Sequence, residues 1–328
     1  MARLLVTGGA GYVGSHALRA LRAAGHEAVV LDDLRAGAAE AVGGAPLIRA
    51  DAGDPAALAG VFADYGPFAG VLHFAGSISV PESVARPLLY YRNNTAASAA
   101  LLEAALAHGV RAFVFSSTAA VYGAPARQPI AEYAPVAPES PYGASKAMVE
   151  RMLADAGRAH GLRWLALRYF NASGADAAGG LGERHDPETH LIPLALEAAA
   201  GLRPALSLYG TDWPTPDGTC VRDYVHVSDL ADAHRRGLES LLAGEGPSGA
   251  FNLGTGTGRS IREVVAAVER VTGRHVPIAE APRRPGDPPM LVADATRFAA
   301  AFGWTPRHSD LDTIVRTAWA WLRAWRAL

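Results

Sequence analysis

The chain is poor in cysteine, in long apolar runs and in net charge, and each shortage excludes a class of protein. Its one cysteine, Cys220, cannot form an internal disulfide, so we expect a reducing compartment such as the cytoplasm. It has no apolar run of about 18 residues, so we expect no membrane span. Its start is not typical of a secretory signal. Its 30 basic and 32 acidic residues nearly balance, which argues against nucleic acid or an anionic membrane as a partner.

The order of apolar and alanine-rich segments indicates the fold class. In the first half, short apolar segments alternate with segments of helical length, the pattern of βαβ units around a parallel sheet. Asp54 followed by Pro55 predicts the start of one helix, and Ser260 with Glu263 forms a capping box that starts another. From about Asn171 the chain is richer in Gly, Pro and Asp. We therefore predict an α/β protein, an open parallel sheet followed by a smaller, less regular lobe.

The end of the chain predicts an amphipathic helix. Between Leu311 and Trp325, apolar residues recur every three or four positions. This spacing places Trp319 and Leu322 on one face, so we expect both to be core residues rather than ligands.

A glycine cluster follows the first predicted strand, Arg3–Thr7, and opens the first predicted helix, Ser15–Ala24. Gly8, Gly11 and Gly14 form a G-x-x-G-x-x-G run, a variant of the dinucleotide-binding fingerprint. Without side chains the backbone turns tightly and approaches a pyrophosphate, while the helix N-terminus supplies N–H donors and partial positive charge. The order of strand, glycines and helix predicts a dinucleotide cofactor.

The carboxylate at the end of the second predicted strand favours NAD over NADP. Asp32 lies about 20 residues after the glycines, where it can accept hydrogen bonds from the adenosine ribose and would repel a 2′-phosphate. Arg35 is close enough to bind such a phosphate, which leaves the alternative open. Asp51 suits the adenine edge or, equally, a loop or helix-capping role. His73 is better explained as a core histidine than as a ligand.

Tyr142 and Lys146 stand four residues apart and share one face of a helix if that helix begins at Pro141. Lys146 is the only lysine, and random placement would put it four residues after a tyrosine about 3% of the time, so chance is a poor explanation. A nearby ammonium, with the positive charge of a nicotinamide, favours phenolate. Thr118, at the end of a predicted strand, can share the substrate's proton with Tyr142.

Eight segments resemble the UDP-glucose 4-epimerases and occur in that family's order: TGGAGYVGSH, HFAG, FSSTAAVYG, SPYGASK, RYFNASG, DGTCVRDYVHVSDLA, NLGTG and APRRPGD. They extend from residue 7 to residue 287. The resemblance implies a Rossmann-type doubly wound parallel sheet in residues 1–170 and a smaller C-terminal substrate-binding domain in 171–328. It implies that a segment around 221–253 returns to the Rossmann domain. It also implies tightly bound NAD, a UDP-sugar substrate and a homodimer joined through a four-helix bundle.

The resemblance implies a role for each residue that matches the family's motifs. Tyr142 is the acid/base that takes the proton of the sugar's 4-hydroxyl, Lys146 holds the nicotinamide ribose, and Thr118 assists. The residues implied for the cofactor are Gly8, Gly11, Tyr12, Val13, Gly14, Asp32, Asp33, Asp51, Phe74, Ala75, Gly76, Asn93, Ser116, Ser117, Tyr142, Lys146 and Tyr169. The residues implied for the substrate are Thr118, Tyr142, Phe170, Asn171, His190, Leu191, Tyr209, Arg222, Arg284 and Asp287. No metal is assigned.

Within the substrate set, Arg222 and Arg284 are implied for the UDP phosphates, Asp287 for the uridine ribose and Tyr209 for packing near uracil. Three positions depart from the family's pattern. Ile78 stands where many members have a lysine that contacts the cofactor. His190 replaces the second asparagine of an Asn-Asn-Leu segment, and Leu291 replaces a bulky tyrosine near the sugar's C2 substituent.

The activity that the resemblance implies is inversion at C4, which interconverts UDP-glucose and UDP-galactose through a transient 4-keto sugar. The three departures leave open a 4-epimerase of a related sugar, such as UDP-xylose or UDP-N-acetylglucosamine. A sugar 4,6-dehydratase or a decarboxylase is disfavoured, because Thr118-Ala119-Ala120 carries no carboxylate for that chemistry. A catalytically idle dinucleotide-binding protein would have no need of Tyr142, Lys146 and Thr118 together.

Overall fold

The computed structural model describes residues 1–284 and 286–328. The strands in this part of the chain are β1 (Arg3–Thr7), β2 (Glu27–Asp32), β3 (Leu47–Arg49), β4 (Gly70–His73), β5 (Ala112–Thr118), β6 (Arg163–Tyr169), β7 (Asn171–Ser173), β8 (Leu206–Tyr209), β9 (Val221–Arg222), β10 (Tyr224–His226), β11 (Gly249–Leu253), β12 (Arg259–Ser260), β13 (Ile278–Ala281) and β14 (Met290–Leu291). Seven of them form a parallel sheet in the order β11-β6-β5-β4-β1-β2-β3. The predicted α/β class and doubly wound parallel sheet are confirmed.

The helices lie mostly between the strands of this sheet and on both of its faces. They are α1 (Tyr12–Ala23), α2 (Pro55–Tyr65), α3 (Val80–Ala85), α4 (Pro87–Tyr90), α5 (Ala97–Ala107), α6 (Pro141–His160), α7 (Leu191–Ala200), α8 (Val227–Ala243), α9 (Ile261–Thr272), α10 (Thr296–Phe302) and α11 (Leu311–Arg326). Two 3₁₀ segments, Ala39–Val42 and Ala119–Tyr122, and one π-helical segment, Tyr91–Ala96, complete the helical elements of the described residues.

Local signals explain where several helices begin. Asp54 caps α2 by accepting a hydrogen bond from the N–H of Ala56, with Pro55 in the first turn, as predicted. The predicted capping box of Ser260 and Glu263 is present at the start of α9. α1 begins at Tyr12, three residues before the predicted start, because Gly14 continues the first helical turn.

The strand order reverses at β1, which pairs with β2 on one side and with β4 on the other. In doubly wound sheets, ligands bind beyond the carboxyl ends of the strands at this reversal. β1 is buried along almost its whole length, since only Arg3 is exposed, as expected for a strand covered on both faces. The fold therefore places a binding cleft at the Gly8 end of β1.

The second half of the chain contributes both to the central sheet and to small sheets of its own. β11 pairs with β6 at one edge of the central sheet, and α8 packs against α1. The small sheets are β7 with β10, β8 with β13, and β9 between β12 and β14. A separate apolar core forms between α7, α9 and α11, and it includes Trp319 and Leu322, which confirms their predicted place.

None of the helices in the described part of the chain is both long enough and apolar enough to cross a bilayer.

Candidate active site

The loop between β1 and α1 packs so closely that side chains are excluded from it. Gly8 has a φ of +71°, and a Cβ there would lie 2.4 Å from the backbone nitrogen of Ala75. A Cβ on Gly14 would lie 2.1 Å from the carbonyl oxygen of Gly8. The backbone of this loop and the first residues of α1 thus border a cleft of about 1100 Å³ at the carboxyl ends of the strands. Such a glycine cradle at a helix N-terminus fits a pyrophosphate.

The cleft gathers most of the residues predicted for the cofactor. Those that line it are Gly8, Gly11, Tyr12, Asp32, Asp33, Asp51, Phe74, Ala75, Gly76 and Asn93. The other predicted residues lie on the elements around it: Val13 and Gly14 in α1, Ser116 and Ser117 in β5, Tyr142 and Lys146 in α6, and Tyr169 in β6.

The acidic end of the cleft is organised by two aspartates and an arginine. Asp32 is buried, and its carboxylate accepts hydrogen bonds from the N–H groups of Ala10 and Leu34, both at 2.9 Å. Arg35 contacts two other carboxylates, Asp33 at 2.5 Å and Asp51 at 3.4 Å. Its charge is therefore neutralised on the cleft wall, which weakens the case for a 2′-phosphate that Arg35 had kept open.

Two neighbouring asparagines connect the cleft wall to the helix that carries Tyr142. The buried Asn94 accepts a hydrogen bond from the N–H of Ser77 at 2.8 Å and donates to the hydroxyl of Ser145 at 3.0 Å. Asn93 donates to the Ser77 hydroxyl at 3.2 Å. Asn93 was predicted here by resemblance, whereas the structural role of Asn94 was not predicted.

Tyr142 and Lys146 lie on the first turns of α6, which begins at Pro141 as predicted. Ser140 caps this helix by accepting a hydrogen bond from the N–H of Gly143. The side chain of Lys146 is buried, and its Nζ donates to the carbonyl oxygen of Ser116 at 3.0 Å. Nζ also lies 3.6 Å from the point that a Cβ on Gly76 would occupy. The ammonium therefore stands directly behind the cleft.

The side chains around Tyr142 set its proton affinity. Burial raises the pKa of the phenol, and the Thr118 hydroxyl opposes part of this rise. The Thr118 hydroxyl oxygen accepts a hydrogen bond from the N–H of Ala120 at 3.1 Å, so its own hydrogen remains available to donate. Burial also lowers the pKa of Lys146 to about 8. The ammonium alone thus does not bring Tyr142 below its ordinary pKa.

Three further polar side chains near this group, those of His73, Ser116 and Tyr169, have structural partners. Both ring nitrogens of the buried His73 are engaged, with Thr7 at 2.6 Å and with Ser98 at 2.7 Å. Burial and the charge of Lys146 lower the pKa of His73 to about 3, so it is neutral. Its interpretation as a core histidine is confirmed. The hydroxyls of Ser116 and Tyr169 are hydrogen bonded to each other at 2.6 Å.

Three residues predicted for the nucleotide end of the substrate lie together. The guanidinium of Arg284 stacks over the ring of Tyr209 at 4.7 Å, and its Nε donates to Asp287 at 2.9 Å. Arg222, on β9, belongs to the same neighbourhood, because its charge and those of Arg284 and Asp287 all act on the thiol of Cys220. The structure thus places two cations, an aromatic ring and a carboxylate in one region.

The predicted sugar end adjoins that region. Phe170 and Leu291 pack on one apolar cluster with Tyr122, and Leu291 pairs with Arg222 between β14 and β9. Asn171 is held by its N–H, which donates to the carbonyl oxygen of Asp223 at 3.0 Å.

Asp223 was not predicted, although it stands in the same VRDY motif as Arg222. It is fully buried, and its carboxylate accepts hydrogen bonds from the N–H groups of Thr255, Gly256 and Ala293. Burial raises its pKa, and the bonds from Thr255 oppose the rise. Asp223 thus joins the loops that carry the substrate residues. The signal in the sequence was its place in that motif, directly after Arg222.

His190 and Leu191 lie at the start of α7, apart from the nucleotide end. His190 is its N-cap residue, and its ring faces the carboxylates of Glu183 and Glu188 beside the cofactor cleft. Of this group only His190 was predicted. The spacing Glu-x-His-x-x-Glu-x-His in residues 183–190 was the overlooked signal.

The doubly wound sheet, the glycine turn and the Thr118, Tyr142 and Lys146 group define a short-chain dehydrogenase/reductase of the extended kind. The sequence model of the NAD dependent epimerase/dehydratase family matches residues 4–254. A UDP-glucose 4-epimerase of Azospirillum brasilense is 57% identical over 323 residues, which cover 98% of this chain and 92% of the relative.

Two solved structures agree with this match. A UDP-glucose 4-epimerase from Brucella ovis in complex with NAD has a TM-score of 0.94 and 49% identity, with 98% of each chain covered. The enzyme from Stenotrophomonas maltophila, with bound NAD and formylated UDP-arabinopyranose, has a TM-score of 0.95 and 42% identity, with 100% of each chain covered. The chain belongs to the UDP-glucose 4-epimerase family.

Proposed function

We propose that this chain interconverts UDP-glucose and UDP-galactose by inverting the configuration at C4, with tightly bound NAD. The observation that carries the proposal is the position of Lys146, whose ammonium is held between the end of β5 and Gly76, on the helix face that also carries Tyr142. A full-length relative with 57% identity bears the name of this activity. The same residues that hold the cofactor therefore also set the site for proton transfer.

The chain's own residues supply proton transfer and orientation. The Tyr142 phenol takes the proton of the 4-hydroxyl and later returns it. Thr118 donates a hydrogen bond to the phenol oxygen or to the 4-hydroxyl oxygen and stabilises the phenolate. Lys146 would hold the nicotinamide ribose beside Tyr142. NAD bound there would supply the acceptor for the hydride of C4 and the donor for its return. Arg222, Arg284 and Asp287 hold the UDP part while the sugar turns.

The residues of the cleft fit NAD. The glycine turn excludes side chains and so lets the backbone approach a pyrophosphate at the start of α1. Asp32 stands at the end of β2, where an adenosine ribose would bind. Asp33 and Asp51 add negative charge at the same end of the cleft and disfavour a 2′-phosphate.

The assay uses purified protein without added NAD and resolves the two C4 epimers of UDP-glucose after incubation. We expect conversion in wild type and a loss of several orders of magnitude in Tyr142→Phe with an unchanged fold. Tyr133→Phe is the matched control, since that tyrosine is 78% exposed. Near-normal turnover by Tyr142→Phe would refute the proposal.

A second activity is favoured by one residue. Leu291 is shorter than the tyrosine of the family's pattern, and it packs with Phe170 on the apolar cluster of Tyr122, so we expect it to admit a larger substituent at C2 of the sugar. We propose that the chain also epimerises UDP-N-acetylglucosamine. The Leu291→Tyr variant should lose this turnover and keep that of UDP-glucose. Equal effects on the two substrates would contradict the proposal.

We further propose a homodimer that joins α5 and α6 of one subunit with those of a second in a four-helix bundle. Met148 on α6 is 45% exposed. Val84 on α3 and Leu88 on α4 are 64% and 74% exposed, and both of these helices pack against α6. Light scattering after gel filtration should give twice the chain mass for wild type and the chain mass for Met148→Glu. Val136→Glu, at an exposed valine outside these helices, is the control.

The division of labour between the domains and the compartment are also proposals. We infer that residues 1–170 bind the cofactor and 171–328 the substrate, with the segment 221–253 returning to the first domain. The pairing of β11, at the end of that segment, with β6 of the first domain supports its return. We infer that the protein works in the cytoplasm, because its single thiol, Cys220, is buried and has no disulfide partner. Fractionation of the cells that produce it tests the compartment.

A further inference from the structure

Four side chains on the segment before α7 converge outside the proton-transfer group. Glu183, His185, Glu188 and His190 each offer one oxygen or nitrogen atom, and these four atoms lie within 4.8 Å of one another. The two carboxylates are almost fully buried, with 6% and 9% of their side chains exposed. Two buried carboxylates and two imidazoles at one point form a donor set that binds divalent transition metals.

The spacing of the four atoms fits a single ion. His185 Nδ1 lies 3.1 Å from Glu183 and 3.7 Å from Glu188, and His190 Nδ1 lies 3.6 Å from Glu188. The edges of a tetrahedron around zinc measure about 3.3–3.6 Å, given bonds of about 2.0–2.2 Å to nitrogen and oxygen. His190 Nδ1 and the Glu183 carboxylate oxygen are closer than a tetrahedral edge, so these two atoms must move apart when an ion binds.

One nitrogen of the group lacks the partner that a hydrogen-bonded network would give it. Nδ1 of His185 is buried and forms no well-directed hydrogen bond with a described residue, although the Glu183 carboxylate is 3.1 Å away. The distance between His185 Nδ1 and the Glu183 carboxylate is that of two ligands of one metal ion, but the N–H does not point at the oxygen as in a hydrogen bond. A metal ion between these donors would give this nitrogen a direct partner.

The surrounding structure holds the donors in place. Backbone N–H groups of Thr189 and His190 donate to the Glu188 carboxylate at 2.7 and 2.8 Å. On the other side, Nε1 of Trp321 on α11 donates to the carbonyl oxygen of Glu183 at 2.8 Å. The ring of Trp321 packs against Gly182, where a Cβ would lie 2.3 Å from it. Such outer contacts orient metal ligands and raise affinity.

We propose that Glu183, His185, Glu188 and His190 bind one divalent transition-metal ion. The two carboxylates neutralise its charge, and the four donors fill a tetrahedral shell, as in structural zinc sites. The ion fastens residues 183–190 to one another. Because this segment and α11 both line the cofactor cleft, the ion stabilises that wall of the cleft. The role is structural, and none of the four ligands belongs to the group of Thr118, Tyr142 and Lys146.

The test measures zinc in the full-length protein, with any affinity tag removed. The protein is treated with a chelator, equilibrated with a small excess of Zn²⁺, freed of unbound metal and analysed by mass spectrometry for zinc per chain. We expect about one ion per chain in wild type and at least a tenfold loss of affinity in His185→Asn and Glu188→Gln. His275→Asn is the matched control, because His275 contacts a single carboxylate, Glu269, at the surface. It should keep the full zinc content.

A second measurement does not depend on the variants folding. Cobalt(II) added to the metal-free wild type should give the visible absorption of a tetrahedral site, and Zn²⁺ should displace it. Bound zinc should also raise the Tm of wild type and of His275→Asn, but not that of the two ligand variants. Wild type without stoichiometric zinc, or ligand variants that retain it, would overturn the proposal. The first result would leave the four side chains as a charged network.

Discussion

The hydroxyl of Ser117 donates a 2.6 Å hydrogen bond to the carboxylate of Glu150. Ser117 directly precedes Thr118 on β5, and Glu150 lies one helical turn after Lys146 on α6. Arg168, on β6, donates to both oxygens of the same carboxylate, at 2.9 and 2.5 Å. This buried group connects the two strands and the helix that carry Thr118, Tyr142 and Lys146, and therefore fixes their mutual positions.

Replacing Glu150 tests the contribution of this group. Glu150→Gln leaves the buried guanidinium of Arg168 without a counter-charge, and we expect the free energy of unfolding to fall by about 3–5 kcal/mol. Urea denaturation measures it. Asp155→Asn is the control, since Asp155 forms exposed ion pairs on the same helix and its loss should cost less than about 1 kcal/mol. Equal losses in the two variants would show that the buried pair has no special role.

Lys146 is expected to lower stability while it supports activity. Burial lowers its pKa from the ordinary 10.5 to about 8. Below pH 8 the folded state therefore holds a charged ammonium away from water, which lowers the free energy of unfolding. Lys146→Met removes this cost and loses one hydrogen bond to Ser116, and we expect a net gain of about 2 kcal/mol at pH 7 with loss of epimerase activity.

The pH dependence of this gain gives the check. Between pH 8 and 10.5 the unfolded state binds the proton that the folded state releases, so wild type gains stability with rising pH and the advantage of Lys146→Met shrinks. Urea denaturation of the cofactor-free proteins at about pH 7 and about pH 9.5 measures the change. Lys146→Arg keeps the buried charge and should show no gain. An advantage that is the same at both pH values would exclude this explanation.

The cofactor preference is expected to depend on what neutralises Arg35. Asp33→Asn removes the carboxylate that contacts Arg35 at 2.5 Å and leaves only the more distant Asp51, at 3.4 Å, to compete with a 2′-phosphate for the guanidinium. We expect the ratio of NADP to NAD affinity to rise about tenfold, measured by reconstitution of cofactor-free protein. Adding Arg35→Ala to this variant should cancel the rise. If the ratio stays the same in Asp33→Asn, the arginine does not face the ribose.

Thr118 is expected to affect both rate and pH dependence. Thr118→Val keeps the shape but removes the hydroxyl that lowers the pKa of Tyr142. A higher phenol pKa moves the rise of kcat to higher pH, and loss of proton sharing lowers kcat by about 10²-fold. The kcat profile from about pH 6 to about pH 10 measures both effects. Thr118→Ser should restore them, and a valine variant with an unshifted profile would contradict the role.

Features that depend on neighbouring residues could be predicted from the sequence. The helix starts at Pro55 and Ile261 follow from capping residues within a few positions, and the pairing of Tyr142 with Lys146 follows from one turn of α6. The buried face of α11 follows from its apolar spacing. In each case the deciding contacts are local, so the pattern is visible before the chain is folded.

Features that depend on distant contacts could not be predicted. Nothing near Arg168 in the sequence points to Glu150 on another element, and nothing near Tyr122 points to Asn252, its partner at 2.7 Å. The four side chains of residues 183–190 lie on an irregular segment, where neither helical nor strand spacing says which of them face one another. Their convergence follows from the packing of that segment against Trp321.

The place of β11 has a consequence for how the protein is made. About 80 residues separate the end of β6 from the strand that covers its outer edge, and a ribosome takes several seconds to add them. During that time the growing chain exposes unpaired peptide groups along β6, which invite pairing with other nascent chains. Production at lower temperature or with added chaperones should therefore increase the soluble yield more than a stabilising surface substitution does.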